Sequence, residues 1–152
     1  MPQTTLLVDK LRADFPAITF TEGETSHWSH TAQTVFYCPN EPQLDWILLH
    51  ELAHALLLHA EYQRDIELLG MERDAWGYAR KQLAPPYNIA IDPDFIEDQL
   101  DTYRDWLHAK STCPRCTLTG MEVRKHHYHC LGCQHTWKTN RGAQVRVHRY
   151  NQ

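Results

Sequence analysis

Residues 47–58 read Ile-Leu-Leu-His-Glu-Leu-Ala-His-Ala-Leu-Leu-Leu, an apolar run whose polar side chains are His50, Glu51 and His54 alone. This stretch constrains the chain more than any other. On an α-helix, residues i and i+4 lie about 40° apart, so both imidazoles reach one cation from a single rigid element. Glu51 lies about 100° round from His50. That placement suits a carboxylate that stays off the metal and acts as general base toward a water. Burying two histidines and a carboxylate in a Leu/Ala-rich helix costs several kcal/mol unless something pairs with them. A divalent cation, zinc first, is the simplest partner.

The cysteines form the second motif. Cys113-Pro114-Arg115-Cys116 and Cys130-Leu131-Gly132-Cys133 are two Cys-x-x-Cys pairs separated by thirteen residues. The spacing predicts a structural tetrahedral zinc site whose four thiolates leave no open position for chemistry. A module of about 40 residues buries too little core to fold alone, so metal binding supplies much of its folding free energy. Cys38 is left over, and beside Phe36 and Tyr37 it reads as a small buried hydrophobe.

Charge divides the chain where these motifs do. Residues 1–112 hold 8 Lys and Arg against 18 Asp and Glu, a net of −10; residues 113–152 hold 7 against 1, a net of +6. With 42% apolar residues the sequence can build a core. No apolar run approaches the ~20 residues of a membrane span and no signal-peptide pattern opens the sequence, so a cytoplasmic location without a membrane partner is the expectation.

In chain order, apolar spacing predicts a helix over 4–14, a strand over 17–22 and a β region over 28–37 with its clearest strand at 34–37. The helix bearing His50 and His54 is expected from about residue 42 to about 59. His59 then points about 140° away from His54 and reads as a helix-end or surface histidine. A helix over 66–83, stopped by Pro85-Pro86, offers Glu67, Glu72 and Asp74 as third ligands. Glu72 shares a face with Ala75 and Ala79 and is preferred; Asp74 is turned about 160° away and is shorter. A further amphipathic helix is expected over 93–107, with 108–112 as a joint. Strand-like Tyr128, residues 136–138 and residues 145–147 suggest a ribbon of short antiparallel strands. Arg115, Arg124, Lys125, Lys138, Arg141, Arg146 and Arg149, interleaved with Tyr128, Trp137 and Tyr150, suggest a DNA- or RNA-binding surface; docking on the acidic first module is the competing expectation.

Two stretches, His50-Glu51-Leu52-Ala53-His54 and Glu72-Arg73-Asp74-Ala75-Trp76-Gly77-Tyr78-Ala79 ending in Leu83-Ala84-Pro85, resemble the minimal gluzincin metallopeptidases of the ImmA/IrrE type. The resemblance covers roughly residues 1–107. It implies an α+β, zincin-like domain over 1–108, with a small sheet whose edge strand can receive an extended peptide, an active-site helix and a glutamate helix. It implies His50, His54 and Glu72 as zinc ligands and Glu51 as the base. The layout, with a Cys113/Cys116/Cys130/Cys133 ribbon over 113–150, is also similar to SprT-like proteases, which implies an association with DNA. Two Zn2+ per chain, one catalytic and one structural, are expected. The expected activity is endopeptidase cleavage of a protein or peptide; the rivals are a nucleic-acid adaptor with little turnover and a zinc amidase or deformylase that would enlist Cys38. Tyr78, Tyr87 and Tyr103 are candidate transition-state hydrogen-bond donors.

Overall fold

The computed structural model describes residues 3–140 and 146–151, with side chains from residue 6 onward. It is an α+β structure with four α-helices and two small sheets among the described residues. Contacts divide it into two compact units, Met1–Ala60 with Met71–Pro93, and Glu61–Gly70 with Asp94–Gln152. No helix among the described residues is long and apolar enough to cross a membrane.

The first unit begins with α1 (Gln3–Asp14), whose Leu7, Val8 and Leu11 are buried on one stripe. Strands β1 (Thr19–Glu22), β2 (His27–Ser29) and β3 (Thr34–Tyr37) form a sheet in the order β1-β3-β2, with β3 parallel to β1 and antiparallel to β2. Val35 is fully buried in the central strand and pairs with Phe20 on one side and Trp28 on the other. Helix α2 (Leu44–Leu56) packs on β3 and β2, and Leu48, Leu49, Leu52 and Ala53 lose all their exposure. An apolar helix of this kind is stable only when enclosed, so the sheet and the helices around it fix its rotation.

Helix α2 stops at Leu56, three residues short of the sequence expectation. Leu58 turns into the left-handed region at φ 59° and is 82% exposed. Helix α3 (Asp65–Tyr78) follows and continues as a π-turn over Ala79–Leu83, closed by the Ala84 N–H on the Ala79 carbonyl at 2.8 Å. Ala75, Trp76, Ala79 and Leu83 are buried, and the π-turn packs on α2. Pro85 and Pro86 then open a short 3-10 turn, since neither offers an N–H to extend the helix.

In the second unit, α4 (Pro93–Ser111) runs through the expected joint at 108–112, because Lys110 and Ser111 are themselves buried. Strands β4 (Met121–Arg124), β5 (His127–His129), β6 (Thr136–Thr139) and β7 (Arg149–Asn151) make an antiparallel sheet in that order. The last strand lies later than expected: Arg146 and Val147 are not in a strand, and Val145 lies outside the described residues. Tyr128 and Trp137 pair across β5 and β6, stack at 5.6 Å between centroids and form the ribbon core with the cysteines. Gly120 lies so close that a Cβ there would stand 2.3 Å from the Trp137 ring and 2.9 Å from the His129 carbonyl oxygen. Only glycine fits beneath that indole.

Candidate metal centre

His50 and His54 leave α2 on the side that faces α3, one turn apart, and Glu72 leaves α3 toward them. His50 Nε2 lies 2.9 Å from Glu72 Oε2, His54 Nε2 lies 3.1 Å from Glu72 Oε1, and the two Nε2 atoms are 3.1 Å apart. All three residues are at most 7% exposed. A tetrahedral zinc with bonds of ~2.0–2.1 Å holds its ligand atoms ~3.3 Å apart, close to the triangle found here. Two imidazole nitrogens and a carboxylate are also the donor set that zinc favours.

Two further observations fit a cation among these atoms. Glu72 Oε2 is buried, and the polar group that stands against it is His50 Nε2 at 2.9 Å. The two facing Nε2 atoms cannot both carry protons without clashing. Burial alone would depress the His50 pKa, but Glu51 and Glu72 outweigh it and raise it to about 9. Burial would raise the Glu72 pKa, but hydrogen bonds and charge from His50 and His54 hold it far below the usual carboxylate range.

Glu51 is half-buried, with Oε1 3.4 Å from His50 Nδ1, on the ring edge away from Glu72. One ligand atom from each of His50, Glu51 and His54 lies within 4.8 Å of the others. Trp76 stacks on the His50 ring at 4.0 Å and 7° and forms an apolar wall that sequence reading did not single out. Its signal is the fourth position after Glu72, on the same face of the helix.

The other expected site residues separate clearly. Asp74 is exposed and pairs with Arg73 at 3.4 Å, while Glu67 is exposed and accepts the Gln63 N–H. Tyr87 donates to Asp14 at 2.6 Å, Tyr78 is half-buried on α3, and Tyr103 belongs to the second unit. Cys38 is half-buried rather than fully buried, and belongs to none of the ligand clusters among the described residues.

His59 stands just past the end of α2, as expected of a helix-end histidine, but it is half-buried and does not point away from His54. Its Nδ1 lies 2.8 Å from His54 Nδ1, and the rings meet edge to face at 5.0 Å. The expected 140° offset fails because α2 ends early and the left-handed Leu58 swings the next residue back. Burial first, and then the neighbouring His54, lower the His59 pKa.

The second unit holds the four-cysteine cluster. Cys113 Sγ and Cys133 Sγ are 3.7 Å apart, and Cys116 Sγ and Cys130 Sγ 3.5 Å. These are free thiols rather than disulfides, and zinc with ~2.3 Å bonds to sulfur spaces its ligands at ~3.8 Å. Backbone N–H groups of Arg115 and Cys133 point at Cys113 Sγ and Cys130 Sγ, favouring the thiolates.

A third group, Asp65, Glu122 and His126, also brings ligand atoms within 4.8 Å. Here the protein supplies its own cation: the fully buried Lys110 Nζ is 2.8 Å from Asp65 Oδ2 and 3.1 Å from His126 Nδ1. Tyr128 donates to Asp65 at 2.5 Å, and Glu122 accepts the Asp65 N–H at 2.8 Å. Burial, and then the Asp65 carboxylate, raise the Glu122 pKa to about 7.

Two of the aromatic residues expected to interleave with the ribbon's basic side chains are not on its surface. Tyr128 and Trp137 are buried, because alternation in β5 and β6 turns both into the core. Lys125 lies over the Tyr62 ring, Arg149 donates to the Thr112 carbonyl, and Arg141 lies outside the described residues. Arg115 and Arg146 are exposed outside the strands, and one row crosses the opposite face of the sheet: Arg124, His127, Lys138 and Tyr150 are successive cross-strand partners on β4, β5, β6 and β7. The sole carboxylate of the ribbon, Glu122, pairs with Tyr128, on the other side of a bulge that separates it from Arg124.

No family model matches this chain, and neither a curated protein nor a solved structure matches it.

Proposed function

We propose that the chain is a zinc-dependent endopeptidase of gluzincin type, with His50, His54 and Glu72 holding the catalytic ion and Glu51 as general base. Residues 1–108 then make up a zincin-like domain, and residues 113–150 a ribbon with a second, structural zinc on Cys113, Cys116, Cys130 and Cys133. The observation that carries the reading is the convergence of two Nε2 atoms and a buried, otherwise unpaired carboxylate oxygen at 2.9–3.1 Å. Zinc bound there supplies the Lewis acidity that activates water and polarises a carbonyl. Glu72 and the two imidazoles hold the ion from two rigid helices, and Trp76 excludes water from behind His50. Glu51 takes the proton of the attacking water and hands it to the leaving amine. The edges of the three-stranded sheet, β1 and β2, offer backbone groups to an extended peptide. The test is cleavage of an unfolded protein such as casein by the zinc-loaded chain. Activity is expected to disappear on chelation and return with added zinc; cleavage indifferent to chelation contradicts the reading.

A second reading, binding of nucleic acid, concerns the ribbon and is favoured by the acid-free row Arg124, His127, Lys138 and Tyr150. Lysine and arginine meet phosphates while an exposed tyrosine stacks on a base. A labelled single strand is expected to bind at low salt, with log K falling as salt rises by ~0.7 per phosphate contact. Lys138→Glu should weaken binding and flatten that slope. Absence of binding at low salt removes this reading and leaves the peptidase untouched.

A further inference from the structure

Just past the end of α2, the backbone of His59 is tied at both its polar groups. Its N–H donates to the His54 carbonyl at 3.0 Å, and its carbonyl accepts the Trp28 indole N–H at 3.1 Å. Leu58, the residue before His59, stands at φ 59°, a left-handed position that costs a non-glycine residue ~1 kcal/mol or more. The strain is retained, and its result is that His59 Nδ1 meets His54 Nδ1 at 2.8 Å while His54 Nε2 faces His50 and Glu72.

A neutral imidazole carries one proton, on either Nδ1 or Nε2. A proton on His54 Nε2 would remove the lone pair that a metal needs. With the proton on Nδ1, His54 donates to the bare Nδ1 of His59, whose own proton then sits on Nε2. The opposite assignment, His59 donating to His54, leaves His54 with its proton on the metal-facing edge. One arrangement of this pair is therefore competent for metal, and it fixes both ring angle and tautomer. Partners of this kind commonly change metal affinity ~10–100-fold when removed.

We propose that His59 is a positioning residue that accepts the Nδ1 proton of His54, and so sets the affinity of the His50, His54 and Glu72 centre for zinc. The inference rests on the metal-centre reading above.

The test is zinc competition against a chromophoric chelator with the full-length chain, where the four-cysteine ion serves as an internal reference. The binding phase lost in Glu72→Ala identifies the histidine centre. His59→Ala is expected to weaken that phase ~10–100-fold and leave the cysteine phase unchanged. His59→Asn, whose side-chain oxygen stands near the place of Nδ1 and accepts the same proton, should recover most of the loss. Imidazole nitrogen shifts should show His54 protonated at Nδ1 in the zinc-loaded wild type and in His59→Asn. The inference is overturned if His59→Ala binds within about twofold of wild type, or if His59→Asn is as weak as His59→Ala. If wild type shows the cysteine phase alone, the metal-centre reading fails at its root.

Discussion

Glu51→Gln is expected to retain two zinc ions per chain and to lose ~10²–10⁴-fold in cleavage rate, the usual contribution of a positioned general base. The substitution preserves size and an acceptor oxygen, so the contact of residue 51 with His50 Nδ1 survives. Only the capacity to take a proton is removed. A variant that loses zinc as well would mean that Glu51 works by holding His50 in place. A variant that cleaves as fast as wild type would remove Glu51 from the chemistry. Zinc content and casein hydrolysis, measured on the same preparation, separate these outcomes.

Asp65→Asn is expected to destabilise the second unit by about 3–5 kcal/mol, the range for breaking a buried ion pair on one side. Lys110 is fully buried and Asp65 is 1% exposed, so the ammonium loses its carboxylate in a place that water does not reach. Tyr128 and the aromatic face of Trp106, 4.7 Å from Nζ, cannot replace that charge. Replacing both partners, as in Asp65→Leu with Lys110→Met, is expected to be far milder than the single change. Denaturant unfolding at saturating zinc measures both variants. Burial would raise the Asp65 pKa, yet Lys110 and Tyr128 outweigh it and hold it below its ordinary value. The stabilisation from this group is therefore complete above the ordinary carboxylate range and is lost as pH falls below it.

How far each feature of this chain is legible in its sequence follows from the range of the interaction that makes it. The four-cysteine cluster was legible because each Cys-x-x-Cys pair is local, and the approach of His50 to His54 because one helical turn joins them. Glu72 was legible from its face, since Ala75 and Ala79 on the same side are buried. The contact of His59 with His54 was missed because a helix extrapolated through Leu58 carries the ring away, and a single left-handed residue reverses that. The last turn of α4 was missed because Lys110 is held by Asp65, 45 residues earlier in the chain, and no local pattern announces a buried lysine. Tyr128 and Trp137 were placed on the surface by composition, although the alternation His-Tyr-His and Thr-Trp-Lys in β5 and β6 points both inward.

We propose that Glu72 completes a metal centre begun by His50 and His54, alongside the cysteine cluster. Counting zinc per folded chain tests it most directly. Two ions are expected in wild type, one in Glu72→Ala, and two in Asp74→Ala, whose carboxylate faces solvent. A wild-type chain carrying a single ion, or a Glu72→Ala chain that keeps both, would contradict it.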